Sequence, residues 1–597
     1  MEKRALVAIL LSVAIMVIWQ IFVVPPPVQP PPEEAGVGGP AGPAGEAPEP
    51  AERSAAAETP PAAPGELVEA AAQEEFRLIT ADQDVRFSNL GGRATWWRLP
   101  RYTRDGGVAV DVIPEQARKA GILPLQLEVA GDAETSRALA EALFAHEMSD
   151  IPAGDPSGLG PGKRVSFVYA DGKGLSARKT LELPERGYVG KVTFDVRRGG
   201  RPLPARLIIA SGLAEQADDD DTTRYGHVEG GVVVYDGVQV LRVAPDQAQA
   251  AQFGGAGGPR VVWGGLESTY FAALVLAPDP TSATLHGADV ALHFEPRRPA
   301  AGGDGKAEAA PLVSSALVAD GGGGYTIFVG PKDFNLLRSL GRDLERAIDF
   351  SRFSLIYLCT KYLFVALTWI NSYVGNYGWS IILLTIMVRV AFFPLMYKSS
   401  IAMRQTSKKM AKVQPKVKAI QERYRKVKRS METQGKMNEE IMALYKREGI
   451  NPMGNLGGCL PILLQMPVFI AFYNLLAVTI ELRHAPFIGW IQDLSRRDPY
   501  YITPLLMGAS WLLQQAMTSS SIPDPMQRRM MMLMPVMFTF FMFNMPSGLV
   551  LYWLTSNLAG MAQQYITNKK ADQIDALAHG KPEAVSRPRR AEDGQTA

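Results

Sequence analysis

Six apolar segments after residue 350 constrain the fold of this chain most strongly. They fall at residues 353–373, 378–397, 457–478, 500–517, 526–545 and 547–567. The hydrocarbon core of a bilayer is about 30 Å thick, and a helix needs about 20 mostly apolar residues to cross it. The sequence therefore predicts an α-helical membrane bundle for this part of the chain.

The N-terminus adds one more apolar run. Lys3 and Arg4 precede a stretch from Ala5 to Val24 that has the length of a membrane span. A cleaved signal peptide is the alternative, but prolines from Pro25 onwards stand where small residues mark a cleavage site. We predict an uncleaved anchor at residues 1–24, and the basic residues before it keep its start in the cytoplasm.

The charge of residues 398–452 limits how many segments can cross. This region has 15 Lys and Arg residues and 5 Glu, a net charge of 15 − 5 = +10. Basic loops of this length stay in the cytoplasm, yet they would face outwards if every apolar segment crossed. We predict that residues 353–373, with Lys361 in their middle, do not cross, and that residues 331–375 form helices at the outer interface. Six spans remain, with both termini in the cytoplasm.

Residues 398–452 are predicted to form an antiparallel helical hairpin that projects into the cytoplasm, with its turn at Gln434 and Gly435. Two partners stay open: anionic lipid, or the ribosome, RNA and a nascent chain. A sparse apolar seam holds the hairpin together: Met410, Val413, Val417, Ile420, Tyr424, Met437, Ile441, Leu444 and Tyr445.

The first half of the chain has a different composition. Residues 25–75 are Pro, Ala, Gly and Glu with almost no large apolar residue, which predicts a disordered linker. Residues 76–330 contain short β-type runs separated by Gly, Pro and Asp, which predicts an all-β sandwich domain on the outer side of the membrane. Residues 569–597 are predicted to be a basic cytoplasmic tail.

Two motifs in the β region resemble ligand sites, but we interpret both as loops. Residues 158–164 imitate a phosphate-binding loop, although Ser157 replaces its first Gly and Arg164 replaces the Ser or Thr that holds Mg²⁺. The acidic run Asp218 to Asp221 lacks the alternating spacing and the Gly of a calcium loop. We therefore predict no cofactor, no metal and no catalytic residue.

Arg389 is a charged residue within an apolar segment, about 12 Å from the inner end of its helix. An Arg at such a depth costs about 3 kcal/mol on insertion scales. The five later segments offer no Asp or Glu to pair with it, which indicates a wetted concavity, or else an Arg capped by carbonyl groups. Their polar residues are Thr385, Gln465, Asn474, Gln514, Gln515, Ser556 and Asn557.

The lack of acidic residues in these segments also distinguishes between the possible functions. Proton-coupled transport normally needs an intramembrane Asp, Glu or His relay, and no nucleotide-binding motif is present. A fixed positive charge in a wet groove can instead attract an acidic segment of another chain, which is work for a passive insertase. A transporter or channel with a periplasmic sensory domain is the alternative; a sugar-modifying enzyme is a weaker one, because the chain has only six His.

A series of ordered motifs covers about residues 330–570. The motifs are Thr385-Ile386-Met387-Val388-Arg389, Phe393-Pro394-Leu395, Gln414-Pro415-Lys416, Met442-Ala443-Leu444-Tyr445-Lys446, Asn451-Pro452, Pro461-Ile462-Leu463-Leu464-Gln465-Met466-Pro467, Asp498-Pro499-Tyr500-Tyr501 and Pro546-Ser547-Gly548-Leu549-Val550-Leu551-Tyr552-Trp553. Together they closely resemble the YidC membrane protein insertases. The β region resembles the periplasmic domain of their Gram-negative members more loosely, through residues 176–180 and 328–331.

The resemblance implies a five-helix insertase core, residues 376–568, around a hydrophilic groove that is open to the cytoplasm and closed outwards. It also implies a periplasmic β-super-sandwich without enzymatic activity, a bacterial inner-membrane location, nascent membrane proteins as clients, and cooperation with the Sec translocon. Family members often have a second Tyr where this chain has Trp553. Together with the polar residues Gln465, Gln514 and Ser556, the groove residues expected from the resemblance are Arg389, Thr385, Phe469, Met507 and Trp553.

Overall fold

The computed structural model describes residues 67–104, 107–155, 158–213, 231–243, 251–254, 261–277, 291–297, 312–320, 323–351, 353–425, 431–449, 456–519 and 525–578. The chain divides into two compact units, residues 1–348 and 349–597. The anchor, most of the linker, the acidic run at 218–221 and the tail beyond 578 lie outside the described residues.

The first unit is a β domain, as the sequence predicts, with two short helices inserted at Glu115–Ala120 (α1) and Ala133–Glu141 (α2). A third short helix, Phe334–Ser339 (α3), and a 3₁₀ turn, Leu344–Ala347, follow the last strand. The strands are Leu67–Val68 (β1), Glu75–Ile79 (β2), Asp84–Ser88 (β3), Arg93–Thr103 (β4), Ala109–Asp111 (β5), Leu127–Val129 (β6), Ala145–Ile151 (β7), Gly162–Asp171 (β8), Leu175–Pro184 (β9), Val189–Arg198 (β10), Arg201–Pro202 (β11), Pro204–Ser211 (β12), Gly231–Tyr235 (β13), Val240–Val243 (β14), Ala251–Phe253 (β15), Trp263–Glu267 (β16), Phe271–Leu276 (β17), Ala291–Arg297 (β18), Leu312–Asp320 (β19) and Gly323–Pro331 (β20).

Within the described residues these strands form three antiparallel sheets. The largest runs in the order β1-β8-β9-β10-β20-β17-β16-β13-β14, with β7 beside β8 and β11 beside β10. The second runs β15-β18-β19-β12-β6, and the third β2-β3-β4-β5. Strand β10 alternates between buried and partly exposed residues, whereas β17 is buried along its whole length. Continuous burial indicates that both faces of the large sheet are covered at β17.

The predicted linker boundary at residue 75 is too late. Strand β1 pairs with β8 through Leu67 and Val68, and the side-chain amide of Asn89 donates to the carbonyl of Ala72. Backbone hydrogen bonds hold this segment, and they do not require the large apolar residues whose absence suggested disorder. The ordered domain therefore begins by Leu67.

Lys179 on β9 joins parts of all three sheets. Its side chain is 1% exposed, and its Nζ donates to the carbonyls of Gly91, before β4, and Leu125, before β6, at 2.6 Å each. A Cβ on Gly92 would lie 2.8 Å from the Lys179 Cε, so glycine makes room for this side chain. Burial, with a smaller contribution from Arg93, lowers the pKa of Lys179 well below its ordinary value.

A second buried charge cluster lies where the β domain ends. Glu267 accepts hydrogen bonds from Arg242 Nε at 2.8 Å and Lys332 Nζ at 3.1 Å. Arg242 also donates to the carbonyls of Arg346 and Ala347. Glu267 and Lys332 are 4% and 3% exposed, so this cluster fixes the 3₁₀ turn against the edge of the large sheet.

We predict that Glu267→Gln lowers the free energy of unfolding of the β domain by about 3 kcal/mol, because it leaves the buried Lys332 and the partly buried Arg242 without their carboxylate. Denaturant unfolding followed by tryptophan fluorescence measures this. The control is Glu295→Gln on β18, an exposed carboxylate 3.9 Å from His293, with an expected loss below about 1 kcal/mol. Equal small losses in both variants would show that Glu267 is not a structural charge.

The second unit is helical. Besides a 3₁₀ turn at Ile480–Leu482, its helices are Ser354–Val374 (α4), Tyr377–Arg425 (α5), Met431–Arg447 (α6), Leu456–Val478 (α7), Ile502–Ser519 (α8), Pro525–Met542 (α9) and Ser547–Ala578 (α10). In the described residues, Ser354–Val374 and Tyr377–Ile401 are long and apolar enough to cross a membrane, and Gln465–Val478 and Met532–Met542 are shorter apolar helices. The structure therefore contains the predicted helical region, whereas the number of membrane spans remains a prediction.

Helices α5 and α6 pack side by side as an antiparallel pair. Lys416 pairs with Glu448 and Arg423 pairs with Glu440. The apolar seam between the helices comes from the residues expected there: Val413 and Val417 are buried, and Met410, Ile441, Leu444 and Tyr445 pack against them.

The predicted turn of this hairpin at Gln434 and Gly435 is wrong. Both residues lie inside α6, and α5 ends at Arg425. A Cβ on Gly435 would meet nothing within 4 Å, so this glycine is not there to permit a close contact. A glycine inside an exposed helix costs only about 1 kcal/mol relative to alanine, and the surrounding helix-forming residues outweigh that cost.

Candidate functional site

Arg389 on α5 reaches across to α10. Its Nε donates to the Ser556 hydroxyl at 3.1 Å, and its Nη2 donates to the same oxygen. The Arg389 side chain is half-buried and Ser556 is buried. The ion pairs of the described residues do not include Arg389.

Tyr552 lies one turn before Ser556 on α10 and connects α7 to the region around Arg389. Gln465 Nε2 donates to the Tyr552 hydroxyl at 3.2 Å. The Tyr552 ring stacks on Phe472, with centroids 4.2 Å apart and an interplanar angle of 17°. Three helices therefore meet beside the guanidinium of Arg389.

Gly560 lets a fourth helix approach. A Cβ built on Gly560 would lie 2.6 Å from Gln514 Nε2 on α8 and 3.9 Å from Arg389 Nη1. The Gln514 amide and the guanidinium thus lie over the same bare stretch of α10 backbone. The predicted polar residues Arg389, Gln465, Gln514 and Ser556 are brought together at one level of the bundle.

Trp553 belongs to an adjoining aromatic group. Its ring contacts Phe469 edge-on at 4.7 Å, Phe538 at 4.7 Å and Trp511 at 5.8 Å. Two other expected groove residues, Thr385 and Met507, are 1% and 0% exposed. The Thr385 hydroxyl donates to the Ile381 carbonyl of its own helix, so neither of these two side chains is open to solvent in this structure.

Sequence reasoning missed the contribution of Tyr552 and of the Ser510–Asn557 pair. Asn557 Nδ2 donates to the Ser510 hydroxyl at 3.2 Å, which links α10 to α8. Asn557 was identified from the sequence as a polar residue of an apolar segment, but Ser510 was not identified as its partner. The available signal was helical spacing, because Tyr552, Ser556 and Gly560 recur every four residues and so lie on one face of α10.

The loop between α7 and α8 holds the starts of α8 and α10. Asp498 is fully buried and accepts hydrogen bonds from Trp490 Nε1, from the Tyr500 amide and from both the amide and the hydroxyl of Thr503. Burial alone would raise the pKa of Asp498, but these hydrogen bonds lower it below its ordinary value. The Ser547 amide donates to the Arg496 carbonyl at 2.6 Å, which attaches the start of α10 to this loop.

In the described part of the chain, no group of three or more His, Cys, Asp or Glu could hold a metal ion. The site therefore consists of one cation, neutral polar groups and aromatic rings. A large β domain joined to a helical unit with apolar helices of membrane-spanning length defines an integral membrane protein with a large domain outside the bilayer.

Comparison with known proteins identifies the family. The family model described as the 60Kd inner membrane protein matches residues 369–574, and the YidC periplasmic domain matches residues 76–366. A membrane protein insertase YidC from Syntrophus aciditrophicus is 34% identical over 96% of this chain and 100% of its own length. One from Geobacter sulfurreducens is 32% identical, again over 96% and 100% of the two chains. The chain belongs to the YidC family of membrane protein insertases.

A solved structure of an active YidC insertase with its first transmembrane domain resolved is also similar. It has 17% sequence identity and a TM-score of 0.33, over 84% of this chain and 95% of that one. The family assignment does not depend on this match.

We predict that Gly560→Ala impairs insertion of client proteins without unfolding the chain. The new methyl group displaces the Gln514 amide from the Arg389 region, while helix propensity gains about 1 kcal/mol. The measurements are the thermal midpoint and insertion of a single-span client into proteoliposomes. Gly435→Ala, which meets nothing within 4 Å, is the matched control and leaves insertion unchanged.

The double variant Gly560→Ala with Gln514→Ala separates the causes. If contact with Gln514 is the reason, the double variant inserts clients as well as Gln514→Ala alone. A further loss in the double variant would contradict this account and indicate general damage to α10.

Proposed function

We propose that this chain inserts and folds inner-membrane proteins by means of a hydrophilic groove around Arg389. The observation that carries the proposal is a half-buried guanidinium whose hydrogen-bond partner is a hydroxyl rather than a carboxylate. A cation in this position retains its net charge inside the bundle. It attracts the acidic or polar part of a client segment and shortens its path through the hydrocarbon.

Water is the natural partner for the rest of the guanidinium. Arginine has five N–H donors, and Ser556 accepts from two nitrogen atoms of Arg389. Gln465, Gln514 and the Tyr552 hydroxyl supply a polar lining at the same level. A wet groove lined in this way lowers the cost of moving a hydrophilic segment without nucleotide hydrolysis.

We propose six spans, with α4 lying across the outer ends of the bundle instead of crossing the membrane. Just before α4, the Phe350 carbonyl accepts from Asn474 Nδ2 at 2.7 Å. Just after α4, Asn376 Nδ2 donates to the carbonyls of Pro486 and Phe487. Asn474 is about 27 Å from the inner end of α7, so both ends of α4 contact the outer part of the bundle.

This arrangement also satisfies the charge of the hairpin. With α4 outside, α5 runs inwards and the net charge of +10 on residues 398–452 stays in the cytoplasm. The exposed face of α4, which includes Leu358, Tyr362 and Trp369, suits the lipid interface. Both termini then lie in the cytoplasm and the β domain lies in the periplasm.

The partners follow from this topology. Nascent membrane proteins are the clients, and family resemblance supports cooperation with the Sec translocon. The basic hairpin and the basic tail can bind ribosomal RNA or anionic lipid through phosphate groups. A transporter remains the alternative function, and ion- or solute-dependent flux through the purified protein would favour it.

The charge of Arg389 is testable with matched clients that differ only in the charge of the translocated segment. We expect Arg389→Ala to reduce insertion of an acidic client about tenfold, equivalent to ~1.4 kcal/mol, and that of a neutral client much less. Arg389→Lys keeps the positive charge but lacks the planar guanidinium group with its paired donors, so we expect it to retain most of the activity. Insertion into proteoliposomes containing each variant measures this. Equal losses for acidic and neutral clients in Arg389→Ala would leave a purely structural arginine.

The topology is testable by labelling cysteines with a membrane-impermeant maleimide in intact spheroplasts, after Cys359 and Cys459 are replaced by serine. We expect Asp349→Cys and Tyr373→Cys, at the two ends of α4, to react from outside. Lys418→Cys in the hairpin reacts only after permeabilisation. Reaction of Lys418→Cys in intact cells, or protection of Asp349→Cys, contradicts the proposed topology.

A further inference from the structure

Helices α5 and α10 run parallel to each other. Both are polar at the level of Arg389 and Ser556 and become apolar towards their N-terminal ends. Arg389 on α5 contacts Ser556 on α10. Eight residues earlier on both helices, a Cβ on Gly548 would lie 3.5 Å from Ile381 Cδ1. Eight helical residues rise about 12 Å. The polar level of the groove and the start of α10 are therefore about 12 Å apart.

Apolar side chains make up most of the space between these two levels, and the buried Thr555 is the polar residue of α10 in this interval. The only hydroxyl of α5 in this interval, Thr385, is bonded to its own helix. Side chains from three helices are at most 2% exposed here: Ile381 and Leu384 from α5, Phe472 and Leu475 from α7, and Leu549 and Val550 from α10.

Aromatic rings close the side of this layer that faces the groove. Phe472 stacks on Tyr552, Phe469 meets Trp553, and Trp553 contacts Trp511 and Phe538. These rings come from α7, α8, α9 and α10. We call the group Phe469, Phe472, Trp511, Phe538, Tyr552 and Trp553 the aromatic layer.

Tyr552 lies at the border between the polar groove around Arg389 and the apolar layer. Its hydroxyl accepts from Gln465 on the Arg389 side, while its ring packs on Phe472. Beyond the ring, the buried side chains of Phe472, Leu549 and Val550 are apolar. An ion moving outwards from Arg389 would lose its hydration without finding a polar substitute.

We propose that the aromatic layer is the permeability barrier of this protein, which holds back protons and ions while the groove below it is filled with water. The proposal rests on the wet groove of the proposed function. It assigns a second task to residues that otherwise serve as client contacts. Trp553 is the central member, because its ring touches rings from three other helices.

The test is proton leak through proteoliposomes that contain the full chain and a trapped pH-sensitive dye, under a potassium diffusion potential and without client. We expect wild type to leak little more than empty liposomes. Trp553→Ala and Phe472→Ala raise the leak several-fold. Trp553→Tyr keeps a ring in place and stays at the wild-type rate, as does Trp369→Ala, a variant of an exposed ring on α4.

Two outcomes overturn the proposal: wild-type leak rates in both alanine variants, or an equal increase in Trp369→Ala. Trp553→Leu provides a variant that retains apolar bulk if Trp553→Ala does not fold. Its leak is expected to lie between those of Trp553→Tyr and Trp553→Ala.

Thiol labelling separates this proposal from the function on which it rests. In the cysteine-free background, Ser556→Cys reacts with a small charged thiol reagent applied from the cytoplasmic side, and Ile381→Cys does not. An unreactive Ser556→Cys contradicts the wet groove itself. A reactive Ile381→Cys beside a reactive Ser556→Cys contradicts only the barrier.

Discussion

The need to solvate Arg389 inside an apolar bundle governs how the helices of the second unit are arranged. An arginine at the centre of a spanning helix costs about 3 kcal/mol even on the most favourable scales. One serine hydroxyl cannot neutralise it, so the lining must be polar on several helices at once. Ser556, Gln465 and Gln514 come from α10, α7 and α8, and these three helices approach one another beside Arg389. The same requirement is the reason for proposing water in the groove and a dry layer beyond it.

Much of this bundle could be predicted from the sequence, because apolar length and charge act over whole segments. The helices α4, α7, α8 and α9 begin and end within a few residues of the predicted apolar segments, whereas α10 begins at the predicted residue and continues to Ala578, eleven residues further than expected. The hairpin turn was misplaced because glycine was taken as a stop signal. In an exposed helix, Gly435 is a minor cost that its neighbours overcome. The start of the β domain was misplaced for a related reason, since composition does not register backbone pairing such as that of β1.

The candidate site was less predictable than the fold. Its polar residues were identified individually, because a charged or amide group within an apolar segment is conspicuous. Their pairing was not, because spacing along one helix does not determine which other helix lies opposite. Tyr552 illustrates the limit: in the sequence it resembles one more aromatic residue, and its polar contribution depends on Gln465, which lies 87 residues away. Gly560 is similar, since its importance lies in the approach of Gln514.

The bundle is held together differently at its two ends, and this asymmetry fits a groove that opens inwards. At the end that the proposed topology places outside, the loop before α8 binds the starts of three helices: Asn376 before α5, Thr503 in α8 and Ser547 in α10. Buried Asp498 fixes this loop through its own hydrogen bonds. At the other end, α5 extends past the apolar segment into the hairpin, whose described ion pairs are internal to it. On the topology proposed above, the loop with buried Asp498 restrains the end of the bundle that has to stay closed, which fits a groove that opens towards the hairpin.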